Sequence, residues 1–193
     1  MIMSMLFPLE ARGAFGFVAE RVGMSFVMAN EREVRHEREG VFLIVKFDGR
    51  RSYELNVEIG KGLSNKPVCS CSLAEVLSIK GAKDGGAIDG IMASEATRLR
   101  GVLQRLAALT LQYASAFLMG GDSSLCEQVA EMRRRDIDAY ALDGALRTAR
   151  ALSQAAWQVR NYRDVVMLLE PLEQLLTPAE RTRLDYARRH IAL

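Results

Sequence analysis

Three cysteines, two histidines and no dominant sign of charge are what this 193-residue chain has little of, and each scarcity closes off a class of chemistry. A structural zinc needs four Cys or His ligands. Cys69 and Cys71 make one close pair, but Cys126 is remote, and His36 and His190 lie far off with no carboxylate motif beside them. No metal and no other cofactor is expected. An odd cysteine count with one close pair is also poor material for a disulfide framework, so buried thiols in a reducing compartment are expected.

Charge is balanced and dispersed: 26 basic residues stand against 24 acidic ones, a net of +2. Nucleic-acid binders gather Lys and Arg on one face. The one dense basic run here, Arg133-Arg134-Arg135, falls near a helix end, where cations favour the negative pole of the helix dipole. No nucleic-acid partner is expected. Uninterrupted apolar runs of about eighteen residues, the length that spans a bilayer, are missing too. The apolar opening "MIMSMLF" is short, has no positive leader and runs into Pro8 and Glu10, unlike a signal peptide. The expectation is a cytoplasmic protein without a membrane partner.

Catalytic motifs are equally sparse. "DGGAIDG" has the glycines of a phosphate loop without its Lys-Ser/Thr, and reads as a loop. A Cys-His nucleophile pair is not testable by spacing, because such partners meet only in the fold. Glu54 and Glu58 share a strand face, as paired catalytic carboxylates would, but so do acids on any wet strand. The chain is read as a non-enzyme, with a hydrolase using Cys126 or these carboxylates as the remote alternative.

What is present follows two grammars. "FPLEARGAFGFVAERVG" reads as an N-terminal helix, and strands follow around Phe26 and Val34. "VFLIVKFD", residues 41–48, is β-branched and aromatic, and "SYELNVEIG", residues 52–60, alternates strictly. Asp48-Gly49 between them is a hairpin signal, with Arg50 and Arg51 able to lengthen the loop. Tyr53, Leu55, Val57 and Ile59 form the dry face of that strand. Residues 1–80 are therefore expected to form a small antiparallel sheet with a helix on its apolar face. The glycine-rich 79–90 is expected to be a loop or linker.

Residues 91–193 read as an all-helical bundle or short solenoid, so the fold class is α+β. Leu99, Val102, Leu103, Leu106, Leu109, Tyr113 and Phe117 make one helical stripe, ending in Gly-Gly. "SSLCEQVAEMRRRD" reads as a shorter helix, and Leu142, Leu146, Ala149, Leu152 and Ala156 mark another. Further on, Trp157, Tyr162, Val165, Leu168 and Leu169 are expected to line the interior of a helical hairpin turned at Asn161. "TPAE" opens a last helix, with Thr177 as N-cap, Pro178 at the first helical position and Glu180 completing a capping box.

The spacing Asn161-Tyr162, Val165, Leu169 and Pro resembles half of a tetratricopeptide repeat. The larger closing segment is similar to that of a group of uncharacterised bacterial proteins, some encoded beside polymorphic or contact-dependent toxins and taken to be immunity proteins. It consists of Ala156-Trp157, Tyr162, Val165-Val166, Leu168 to Pro171, Leu176 to Glu180 and Tyr186-Ala187. The resemblance implies a protein partner, most concretely a cognate toxin blocked by surface complementarity. The alternative is a helical scaffold that binds a peptide or another protein. The place for a partner is the wet face of the sheet, where Glu54 with Glu58, Glu31 with Glu33, and Glu37 with Glu39 are expected to collect negative charge, the alternative being that Arg35 and Arg38 neutralise the glutamates pairwise and leave an ordinary solvated surface.

Overall fold

The computed structural model describes residues 2–63, 66–83, 88, 90–122 and 124–191, with side chains from residue 5 onward. The chain opens with helix α1 (Ile2–Val22). Five strands follow, β1 (Ser25–Ala29), β2 (Glu33–Arg38), β3 (Val41–Phe47), β4 (Leu55–Leu63) and β5 (Lys66–Ser72), then helix α2 (Leu73–Ile79). The strands form an antiparallel meander in sequence order. The remainder is helical: α3 (Ala96–Leu118), α4 (Leu125–Gln158), α5 (Tyr162–Leu169), a 3-10 turn at Glu170–Leu175, and α6 (Pro178–Ile191). The α+β class with a helical C-terminal region is therefore as expected.

Register assigns the two sheet faces. Val34, Val45 and Val57 align across three strands, as do His36, Leu43, Ile59 and Cys71, and all of these are buried. Helix α1 packs on this face through Phe7, Ala11, Phe15 and Val18, a three-and-four spacing, with Phe7 stacked on Phe47 at 5.1 Å. Residues 53–55 bond to 91–93, which leads the chain back across the sheet. α3 then lies along α1, and Leu99, Leu103, Leu106 and Phe117 complete the same core.

That packing moves the domain boundary. The expected division at 79–90 is corrected: one compact unit runs from Met1 to Glu131 and a second from Met132 to Leu193. Helical character alone had grouped α3 with the later helices, but its buried stripe belongs to the sheet's core, which reaches Val129. Part of 79–90 (residues 84–87 and 89) lies outside the described residues. The two helices expected between 123 and 158 are one helix, since nothing from Arg135 to Asp143 caps or breaks it and Gly144 is tolerated inside.

Residues 66–79, where no element is expected, hold β5 and α2. Ser72 and Glu75 form a capping box there, with each side chain accepting the other residue's backbone N–H. The free-thiol expectation is also corrected. Cys69 on β5 and Cys126 on α4 are joined as a disulfide, with Cα atoms 5.9 Å apart, while Cys71 is a buried thiol outside that bond that donates to the Ile59 carbonyl. The pair is 57 positions apart in sequence, so only the tertiary fold reveals it.

The second unit has its own core of Ala156, Val165, Leu169, Leu176, Leu184 and Ala187. Arg160 takes a left-handed φ of 58°, Asn161 caps α5 by accepting from the Asp164 amide, and Thr177 with Glu180 caps α6. Of the five residues expected inside the hairpin, Val165 and Leu169 are fully buried, while Trp157, Tyr162 and Leu168 are half-buried.

Candidate functional site

The outer face of the sheet is the place to look for a partner, because its residues stay out of the helix-covered core. In register it carries Glu33, Arg35 and Glu37 on β2, Phe42, Ile44 and Lys46 on β3, and Asn56, Glu58 and Gly60 on β4. Two apolar residues sit among the charges and are nonetheless buried. Phe42 lies over Gly60, where an added Cβ would come within 2.3 Å of the ring and 2.4 Å of the Cys69 carbonyl. Ile44 is flanked in register by Arg35 and Glu58.

The six carboxylates expected on this face do not act as one acidic field. Glu33, Glu37 and Glu58 share it; Glu31 precedes β2, Glu39 sits at φ 43° in the β2–β3 turn, and Glu54 precedes β4 with a bridge to Met92. Three are neutralised locally. Glu33 pairs with Arg35 at 2.8 Å, Glu31 with Arg50 at 3.0 Å, and Glu58 with Lys46. Alternation along the strands predicts the shared face, but the cations interleaved at the same period turn acid into paired charge.

At one end of the sheet the β3–β4 loop is organised by Asp48. Its carboxylate accepts from the amides of Arg50, Arg51 and Ser52 and from the Ser52 hydroxyl. Those backbone donors, the Arg50 amide first, hold its pKa below the usual Asp value. Arg32, Arg50 and Arg51 line a hollow of about 440 Å³ beside it.

On the inner face His36 is 2% exposed, edge-on to Phe26, and its Nδ1 has no hydrogen-bond partner among the described residues. Burial foremost, then the positive charge of Arg12 on α1, lowers its pKa, so the ring is held neutral. Arg12 itself lies over the Phe26 ring at 4.4 Å.

The second unit offers a groove of about 740 Å³ floored by Leu142, Pro171, Leu172 and Leu175. Its acidic rim is already engaged: Arg188 bonds both Glu170 and Glu173 at 2.7 Å, and Arg188 foremost lowers the Glu173 pKa. Nearby, Trp157, Tyr162 and Tyr186 meet edge to face at 5.3 to 5.7 Å.

Among the described residues no three His, Cys, Asp or Glu side chains gather in a way that could hold a metal ion. The sulfur of Cys126, the thiol considered for nucleophilic chemistry, is bonded to Cys69. No helix of the described residues is long and apolar enough to cross a membrane. No family model, curated protein or solved structure matches the chain.

Proposed function

We propose that this chain is a protein-binding module, most concretely an immunity protein that neutralises a cognate bacterial toxin in the cytoplasm by covering it, without catalysis or a cofactor. The observation that carries the reading is the outer sheet face, a β surface with charges of both signs already held in pairs around Phe42 and Ile44. Side chains ordered before contact lose less entropy on docking. Fixed charges of alternating sign select a partner of complementary pattern and speed its approach. In a reducing cytoplasm, Cys69 and Cys126 would stand as two thiols, and the paired charges are indifferent to that change.

The test is capture of the bound chain from the source bacterium, followed by affinity measurements with a Glu33→Lys, Glu58→Lys variant at low and moderate salt. A captured toxin inhibited at one-to-one stoichiometry, with binding at least tenfold weaker in the folded variant, supports the reading. Unchanged affinity and unchanged salt dependence remove the sheet face from consideration.

A second reading, a scaffold that binds a peptide, is favoured by the leucine-floored groove of the second unit. Leu175→Glu discriminates the two. It should abolish peptide binding in the groove and leave binding at the sheet face intact.

A further inference from the structure

Helices α1 and α3 bury one face of each in the sheet's core, and a solvated pair of helices would carry charge on the opposite face. This pair does not. Along α1 the exposed line is Met5, Leu9, Gly13 and Phe17, with Leu9 70% and Phe17 53% exposed. Beside it, α3 has no charged residue from Leu106 to its end, and Ala108 and Gln112 face out. Between them runs an apolar groove of about 470 Å³, lined by Gly13, Phe17, Ala108 and Leu111 and edged by Gln104 and Gln112. Contiguous apolar surface of this kind marks an interaction site.

We infer that this face is a self-association surface, and that its occupant is the same face of a second copy of the chain. Charge decides between occupants. In a two-fold interface each group meets a copy of its own surroundings, so an unpaired charge near the axis repels itself. No residue that lines the groove is charged, and of the charges beside it Glu10 is held bidentately by Arg100 at 2.6 and 2.8 Å, while the Arg21 guanidinium lies 5.3 Å from the Phe17 ring centre. The polar groups that do edge the groove, Gln104 and Gln112, are primary amides, which both donate and accept and can therefore bond their own copies. A strongly charged partner would find no charged side chain in the groove's lining.

Size agrees. Two adjacent helices, each about 10 Å across and sharing about 25 Å of length, present on the order of 500 Å² per copy. That meets the roughly 1,000 Å² in total that separates a specific interface from a casual contact. The surface is distinct from the outer sheet face, so the inference stands independently of the proposed function.

The experiment is sedimentation velocity on the purified full chain, with no partner present, from low to high micromolar concentration. A species of twice 21.4 kDa that grows with concentration is expected. Phe17→Glu and Leu9→Glu should each leave the protein monomeric over that range with an unchanged circular dichroism spectrum. Leu9 guards against misfolding of the first variant, since it is the more exposed of the two. Val68→Glu, an 86% exposed control on β5, should dimerise as wild type. A wild type that stays monomeric throughout, or a dimer indifferent to both α1 variants, overturns the inference. So does a wild-type monomer that binds a foreign chain through Phe17, which would make this a surface for a different partner.

Discussion

His36 is the residue whose surroundings have the clearest consequence in solution. Its folded pKa is lowered, by burial first and by Arg12 second, while in the unfolded chain it titrates near 6.5. Between those two values the unfolded state binds the extra proton, so stability is full above about pH 6.5 and falls as the solution is acidified. Urea titrations at pH 7.5 and 5.5 should show that loss, and His36→Leu should reduce it. Leu169 gives a second test. It is 1% exposed in the second core, so Leu169→Ala should cost about 2–5 kcal/mol in a denaturant titration, with a smaller cost for the half-buried Leu168→Ala. The stripe that announced this hairpin was legible in the sequence, but a three-and-four period defines a face some two residues wide. Which of Leu168 and Leu169 lies deepest depends on where α6 packs.

At the scale of elements, caps and alternation were legible and long-range partnership was not. Thr177-Pro178-Ala179-Glu180 specifies its helix start through local hydrogen bonds, and those bonds form as expected. Arg150, followed by the Thr177 amide and hydroxyl, lowers the Glu180 pKa to about 2. The cap's contribution is therefore present above about pH 4.5 and is lost as pH falls through about 2. Thr177→Ala should cost about 1 kcal/mol at neutral pH. By contrast, the apolar alternation of "KPVCSCS" is confined to Cys69 and Cys71, too short a signal for a strand by itself; pairing with β4 makes it one. Gly60 depends on the same pairing. Its lack of a side chain leaves room for the Phe42 ring and the Cys69 carbonyl, so Gly60→Ala should destabilise by about 1–3 kcal/mol, read as a lowered Tm. The candidate site was half legible. Alternation placed Glu33, Glu37 and Glu58 together and put Arg35 beside Glu33 on the same strand, while the pairing of Glu58 with Lys46 depends on cross-strand register.

At the scale of the whole molecule, two cores share one chain and helix α4 contributes to both. The sequence separated sheet from helices correctly but drew the boundary by element type, whereas burial draws it by shared core. α3 is helical in pattern and a sheet partner in packing. The apolar outer face of α3 is visible in the sequence as the sixteen-residue charge-free run from Leu106 to Gly121. Separate cores predict separable unfolding. The single tryptophan, Trp157, lies in the second unit, so its fluorescence reports that unit while far-ultraviolet circular dichroism reports both. With Leu184→Ala weakening the second core, the fluorescence midpoint in urea should precede the dichroism midpoint, and coincident curves would mean a single cooperative unit.

The Cys69–Cys126 bond makes part of the first unit a closed covalent ring. The ring threads β5, α2 and α3 before returning to α4, so the backbone there is no longer a simple line with two ends. A single peptide-bond cut anywhere between residues 70 and 125 would open the ring without separating the pieces. Such a nicked oxidised chain should migrate as one molecule in a denaturing gel, and two fragments should appear only when a reductant is added.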